Sequence, residues 1–169
     1  MSRHPFIENS LKTFIFAVIA LFVIAYIPYR IITAETHTVI AAIGKFRLIG
    51  YILIGLGTVG YLICFRNFIV DANGSPILGD TQYLIVKGLY RYVRNPIYLS
   101  ANLIFLGEAL LFQSLEMLYY LLGWIIIFHL FVVFVEEPFL RHKFGDTYER
   151  YCNSVRRWVP RIKPPGNDG

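Results

Sequence analysis

The chain is 169 residues long, 56% hydrophobic and only 16% charged, with sixteen Lys and Arg against eleven Asp and Glu for a net charge of +5. So apolar a composition excludes a water-soluble globule of this size and assigns the chain to a membrane. Its two cysteines, Cys64 and Cys152, fall in no Cys-x-x-Cys or Cys/His pattern, so neither a zinc site nor a disulfide scaffold is expected, and no metal.

Four apolar stretches, roughly 12 to 33, 47 to 66, 96 to 113 and 117 to 135, approach the ~20 residues needed to span the hydrocarbon core. The first, "LKTFIFAVIALFVIAYIPYRII", outruns the ~15-residue apolar core of a signal peptide, and no small-residue cleavage site follows it. It is expected to be a retained span, bent at Pro28. The second carries Gly50, Gly55, Gly57 and Gly60, which read most simply as a close helix-packing surface. After it, "DANGSPILGD" is a turn-rich connector, and "QYLIVKG" a short extended run ending at Gly88.

Next comes "GLYRYVRNPIYL", where tyrosines and arginines crowd the entrance to the third span. Pro96 suits a first helical turn because its missing N–H has no partner to lose there. From that start Asn95, Tyr98 and Asn102, three and four residues apart, share one face and carry a polar stripe into the membrane. The third span is short, and only Gln113 to Glu116 join it to the fourth, so the two are expected to form a helical hairpin. Within it Glu108 lies ~18 Å from the polar doorway and is expected to snorkel toward the outer face. His129 reads either as a functional intramembrane residue or as a neutral histidine bonded to a neighbouring helix.

The hairpin closes on "VVFVEEPFL", where Pro138 disfavours helix at Glu137 and the adjacent Glu136 and Glu137 point about 100° apart. One is expected to face a pocket while the other meets an arginine. Beyond it, Phe139, Leu140, Phe144, Tyr148, Tyr151, Val155 and Trp158 or Val159 repeat at helical spacing. They predict an amphipathic helix along the membrane surface, with Arg141, Lys143, Arg150, Arg156 and Arg157 turned to water and lipid phosphates. The final "KPPGNDG" reads as a disordered end.

Orientation follows from the cations. With the N-terminus cytoplasmic, only Arg30, Lys45 and Arg47 of the sixteen fall outside. Both termini, the loop from 67 to 95 and the tail from 136 onward then share the cytoplasmic side. Small size and the absence of a retention signal point to a bacterial inner membrane.

The ordered set of Gly88, Tyr90 and Arg91; Arg94, Asn95, Pro96 and Tyr98; Glu136 and Glu137; Phe144, Gly145, Tyr148 and Tyr151; and Pro160 resembles the isoprenylcysteine carboxyl methyltransferases and phospholipid methyltransferases. The resemblance covers residues 83 to 160. It implies an all-α integral membrane protein, a single domain of about four transmembrane helices with a C-terminal hairpin and a cytoplasmic amphipathic helix. It further implies S-adenosylmethionine as methyl donor, with partners limited to the bilayer and a lipophilic or lipidated acceptor, and no nucleic acid. The residues it assigns to the cofactor are Tyr90, Arg91, Arg94, Asn95, Tyr98, Asn102, Glu136, Glu137 and Tyr148, with Arg94, Asn95 and Glu137 nearest the chemistry. Arg91 or Arg94 would pair with the cofactor carboxylate, and Glu136 or Glu137 would accept from its amine or ribose diol. Asn95 stands where the family has histidine; asparagine exchanges hydrogen bonds but does not titrate near neutral pH. Two other readings remain: an NADPH-dependent sterol or enone reductase, whose relatives share an Arg-His-Pro-x-Tyr motif, and a non-catalytic membrane partner protein.

Overall fold

A computed structural model of the chain describes residues 14–34, 44–70 and 83–162. The expected connector over 71–80 and the expected disordered end over 163–169 lie outside the described residues. Among the described residues five helices follow in order: α1 (Phe14–Ile32), α2 (Gly44–Val70), α3 (Pro96–Phe112), α4 (Leu115–Phe144) and α5 (Asp146–Ser154), with a tight turn over Gly88–Arg91 before α3. No strand occurs among the described residues, and Leu84 to Val86 form no regular element.

Where the sequence predicts four spans, α1, α2 and α4 are long and apolar enough to cross a membrane. The third of the predicted spans, α3, has 17 residues, or about 25 Å at 1.5 Å per residue, short of a ~30 Å core. The predicted hairpin is present. Gln113 takes the left-handed conformation at φ 54°, ending α3. Ser114 then caps α4: its Oγ accepts from the Met117 N–H at 3.3 Å and donates to Glu116 Oε2 at 2.9 Å.

Glycine sets the distance between α2 and α3. A Cβ on Gly50 would lie 2.7 Å from the Gly107 carbonyl oxygen, one on Gly57 2.7 Å from the Ser100 carbonyl oxygen, and one on Gly60 2.6 Å from Ser100 Oγ. The predicted packing surface therefore consists of Gly50, Gly57 and Gly60, met by Gly107, with the two helices antiparallel. Gly55 points away from it, with open space around its Cβ position. On the opposite side, α1 lays Val23, Ile24, Ile31 and Ile32 against the buried core of Ala101, Phe105, Ala109, Met117 and Leu121. The Tyr120 hydroxyl ties α4 to α1 by donating to the Val23 carbonyl at 3.0 Å. Outward, Leu56, Tyr119, Ile126 and Phe134 are more than half exposed, a surface suited to lipid rather than water.

One expectation fails at Pro138, because Glu137 is helical, at φ −63° and ψ −45°. The preceding turn, Val132–Glu136, is π-helical, with the Glu137 N–H reaching the Val132 carbonyl. The same device precedes Pro28, where Phe22–Tyr26 is π-helical and the Ile27 N–H reaches the Phe22 carbonyl. A proline ring clashes with the carbonyl four residues earlier. Widening the turn in front of it relieves that clash, so the helix passes through proline instead of ending. As a result α4 runs on to Phe144, well past the predicted end near 135.

The single surface helix expected from Phe139 onward is also divided. Gly145, at φ +51°, stops α4 in a conformation that L side chains rarely adopt, and α5 starts afresh at Asp146. After Ser154 the chain turns extended at Val155.

Candidate functional site

The two ends of the hairpin meet. Glu137, near the far end of α4, stands 3.3 Å from Arg94, which lies just before the start of α3. Over that end lies the segment that follows α5, running back along the doorway. The Arg94 N–H donates to the Arg156 carbonyl and the Arg161 N–H to the Tyr92 carbonyl, each at 2.9 Å. Asn95 Nδ2 donates to the Arg157 carbonyl at 3.2 Å, and the Tyr151 hydroxyl to the Tyr90 carbonyl at 2.8 Å. The tight turn that presents Tyr90 begins at Gly88, whose φ of +56° and closeness to the Asn67 side chain both favour glycine.

A cleft of about 70 Å³ lies between these elements, bordered by Tyr90, Arg94, Asn95, Glu136, Glu137 and Tyr148. Six of the residues expected to hold a cofactor thus share one wall. The adjacent carboxylates divide as their helical angle predicts. Glu137 takes a bidentate pair from Arg157, Nε to Oε1 at 2.6 Å and Nη2 to Oε2 at 2.8 Å, and Arg94 Nη1 stands 3.3 Å from the same Oε1. Glu136 instead accepts from the Tyr98 hydroxyl at 3.0 Å. Arg94 also donates to Cys152 Sγ, and its Nε is buried with no hydrogen-bond partner among the described residues. Burial holds Tyr90, Tyr148 and Tyr151 above the ordinary phenol range, so all three are neutral hydrogen-bonding aromatics here.

Two of the expected cofactor residues belong to a neighbouring cavity. Tyr98 and Asn102 border a space of about 220 Å³ between α3 and α4, together with Trp124, Phe128, His129 and Trp158. Its walls are aromatic: Tyr98 lies 5.1 Å from Phe128 and 6.4 Å, edge-on, from Trp158. Trp158 Nε1 donates to His129 Nδ1 at 3.1 Å, so His129 is bonded to the C-terminal segment and not to a neighbouring span. Tyr98 stands between the two spaces, with its ring on the cavity and its hydroxyl on Glu136. Arg91 borders neither space.

Other expectations are corrected. Arg157, assigned from sequence to water and lipid phosphates, is the main partner of Glu137. Arg141 does stay outside, pairing with exposed Glu149 at 2.7 Å. Glu108 does not snorkel free, because its Oε2 is buried with no partner among the described residues. Sequence reading placed Arg157 and Trp158 on an amphipathic helix and gave Cys152 no role; their contacts at the site were missed because the chain leaves the helix at Val155 and no period governs it there. The one local signal was a cation and an indole side by side, just past the end of a helix.

Asn95 has a structural task in place of a titrating one. It is buried and precedes α3 without capping it by its side chain, spending its amide on the Arg157 carbonyl.

A curated protein of Haemophilus influenzae, described as uncharacterized, is 43% identical over 63 residues, 37% of this chain and 98% of that protein. No solved structure matches. Residues 46–147 match the family described as phospholipid methyltransferase, a stretch that takes in α2, the doorway, the hairpin and the Glu136–Glu137 pair and stops short of Tyr148 and Arg157. A match over most of the chain, with the motif residues gathered at one end of a membrane hairpin, makes the chain a member of the phospholipid methyltransferase family.

Proposed function

We propose that the protein transfers a methyl group from S-adenosylmethionine to a lipophilic acceptor at the cytoplasmic face of a bacterial inner membrane. The observation that carries this reading is the convergence of Arg94, Glu136 and Glu137 from opposite ends of the hairpin into one cleft, beside an aromatic cavity among lipid-facing helices. Family membership supplies the reaction class, membrane methyl transfer. When bound, the cofactor supplies an electrophilic methyl group on a sulfonium centre.

The residues present fit such a group. Arg94 carries a buried, unsatisfied Nε, a donor placed for an anionic ligand atom. Arg157 adds a second guanidinium, raised above its ordinary range by its hydrogen bonds to Glu137 and therefore always charged. Glu136 and Glu137 offer acceptors for an ammonium or a ribose diol. Tyr90 and Tyr148 present aromatic faces, which attract a desolvated cation by about 1–2 kcal/mol. Asn95 positions the Arg157 backbone and takes no proton, so no base is supplied from that position. The chain's main contribution is alignment and exclusion of water.

At about 70 Å³ the cleft is well below the ~300 Å³ at which ligand pockets begin, and Glu137 on its wall has both oxygens taken by Arg157. Binding therefore requires that pair to part. Calorimetric titration of the purified protein in detergent with S-adenosylmethionine, S-adenosylhomocysteine and NADPH tests the reading. Saturable binding of the first two is expected; binding of NADPH alone would replace it with the reductase reading.

A further inference from the structure

Arg157 and Trp158 are consecutive, yet they serve different spaces. Arg157 binds Glu137, which borders the polar cleft, and Trp158 borders the aromatic cavity beside His129 and Tyr98. The chain bends at Arg157 and Trp158, and the Arg94–Arg156 and Arg161–Tyr92 backbone hydrogen bonds hold this bent segment against the doorway, so that the two adjacent side chains leave toward different spaces. Adjacent Cα atoms are ~3.8 Å apart, so displacement of one residue is felt by the next. We propose that the Arg157–Trp158 dipeptide couples the two spaces: an occupant of the polar cleft that separates Arg157 from Glu137 draws Trp158 off His129 and opens the aromatic cavity to a hydrophobic ligand.

Three observations support this coupling. Both Glu137 oxygens are committed to Arg157, so a ligand that claims Glu137 displaces Arg157. The Asn95 bond to the Arg157 carbonyl makes a local pivot, with the guanidinium on one side and the indole on the other. Tyr98 and Glu136 form a second link between the spaces, at 3.0 Å, so the cleft and the cavity share a wall as well as a strap. Linkage makes the effect reciprocal: a hydrophobic ligand in the cavity tightens binding in the cleft by the same factor. Only the identity of the cleft ligand rests on the methyltransferase reading.

The chain has two tryptophans, so Trp124→Phe leaves Trp158 as the only indole reporter. In that background, S-adenosylhomocysteine is expected to shift the Trp158 emission saturably, with the midpoint found by calorimetry, and to tighten farnesol binding several-fold. Glu137→Gln and Arg157→Gln, each without ligand, are expected to shift the same emission, and Arg157→Lys, which keeps the charge, to return it toward the parent value. Calorimetric binding with no change in Trp158 emission overturns the coupling, as does an unmoved emission in both glutamine variants. Failure of S-adenosylhomocysteine to bind while the glutamine variants shift the emission removes the methyltransferase reading and leaves the coupling standing.

Discussion

Arg157 holds both carboxylate oxygens of Glu137, at 2.6 and 2.8 Å, and so fastens the C-terminal segment onto the end of the hairpin twenty residues earlier in sequence. The carboxylate is nearly buried, whereas the guanidinium keeps about a third of its surface in solvent. Removing one partner of such a pair leaves a charge that its surroundings solvate poorly. Arg157→Ala is expected to lower stability by about 3 kcal/mol, softened by the remaining Arg94 contact, and to abolish S-adenosylmethionine binding. Thermal unfolding in detergent and calorimetry read the two effects separately. An unchanged melting temperature would show that the pair contributes nothing to holding the segment.

Tyr98 and Glu136 give a milder test. Tyr98→Phe keeps the ring against Phe128 and removes only the hydroxyl that Glu136 accepts from. A loss of about 1–2 kcal/mol is expected, together with weaker cofactor binding. Glu108→Ala, on the same helix but far from the cleft, should leave cofactor binding intact; the reverse pattern would refute this placement of the site.

Gly107 and Gly55 form a paired test of helix packing. A Cβ at Gly107 would sit 2.7 Å from the Gly50 carbonyl oxygen, so Gly107→Ala must push α2 and α3 apart, at about 1–3 kcal/mol. Gly55→Ala meets open space and should stabilise the helix by up to about 1 kcal/mol. Melting temperatures of the two variants moving in the same direction would argue against the glycine interface.

Asn95→Ala removes the hydrogen bond to the Arg157 carbonyl without touching any charge. The pivot then loosens, and cofactor affinity is expected to fall on the order of tenfold, equivalent to about 1.4 kcal/mol. Its pH profile should match the parent's, because asparagine does not titrate. A shifted profile would instead assign Asn95 a part in proton transfer.

Alkaline pH should also weaken the C-terminal region. Tyr90, Tyr148 and Tyr151 ionise above their ordinary value of 10.0 because burial disfavours the phenolate. With the folded value raised, their contribution is complete below about pH 10 and is lost as pH rises, since the unfolded chain releases those protons first. Thermal melts from pH 8 to 11 should fall only at the alkaline end. A decline starting near neutrality would point to other groups.

Much of the fold was legible because lipid demands long apolar runs and helices repeat at a known period. Three of the four expected spans, the hairpin turn over Gln113 to Glu116 and the packing glycines Gly50, Gly57 and Gly60 follow from local spacing. So does the division of labour between Glu136 and Glu137, which point about 100° apart on one helix. Pro138 misled because a π-turn in the preceding residues absorbs its clash, and that choice depends on the whole helix being held in place.

The sequence by itself determined the membrane class, the helices and the residue types gathered at one end of the hairpin. Only the tertiary structure decided which arginine meets Glu137, that Tyr98 and Asn102 border a second cavity, and that Trp158 closes it. Those contacts join residues twenty to sixty positions apart across an irregular segment with no period to read. Local spacing reports which way a side chain leaves its helix; the partner it finds is fixed by chain closure, which local spacing does not encode.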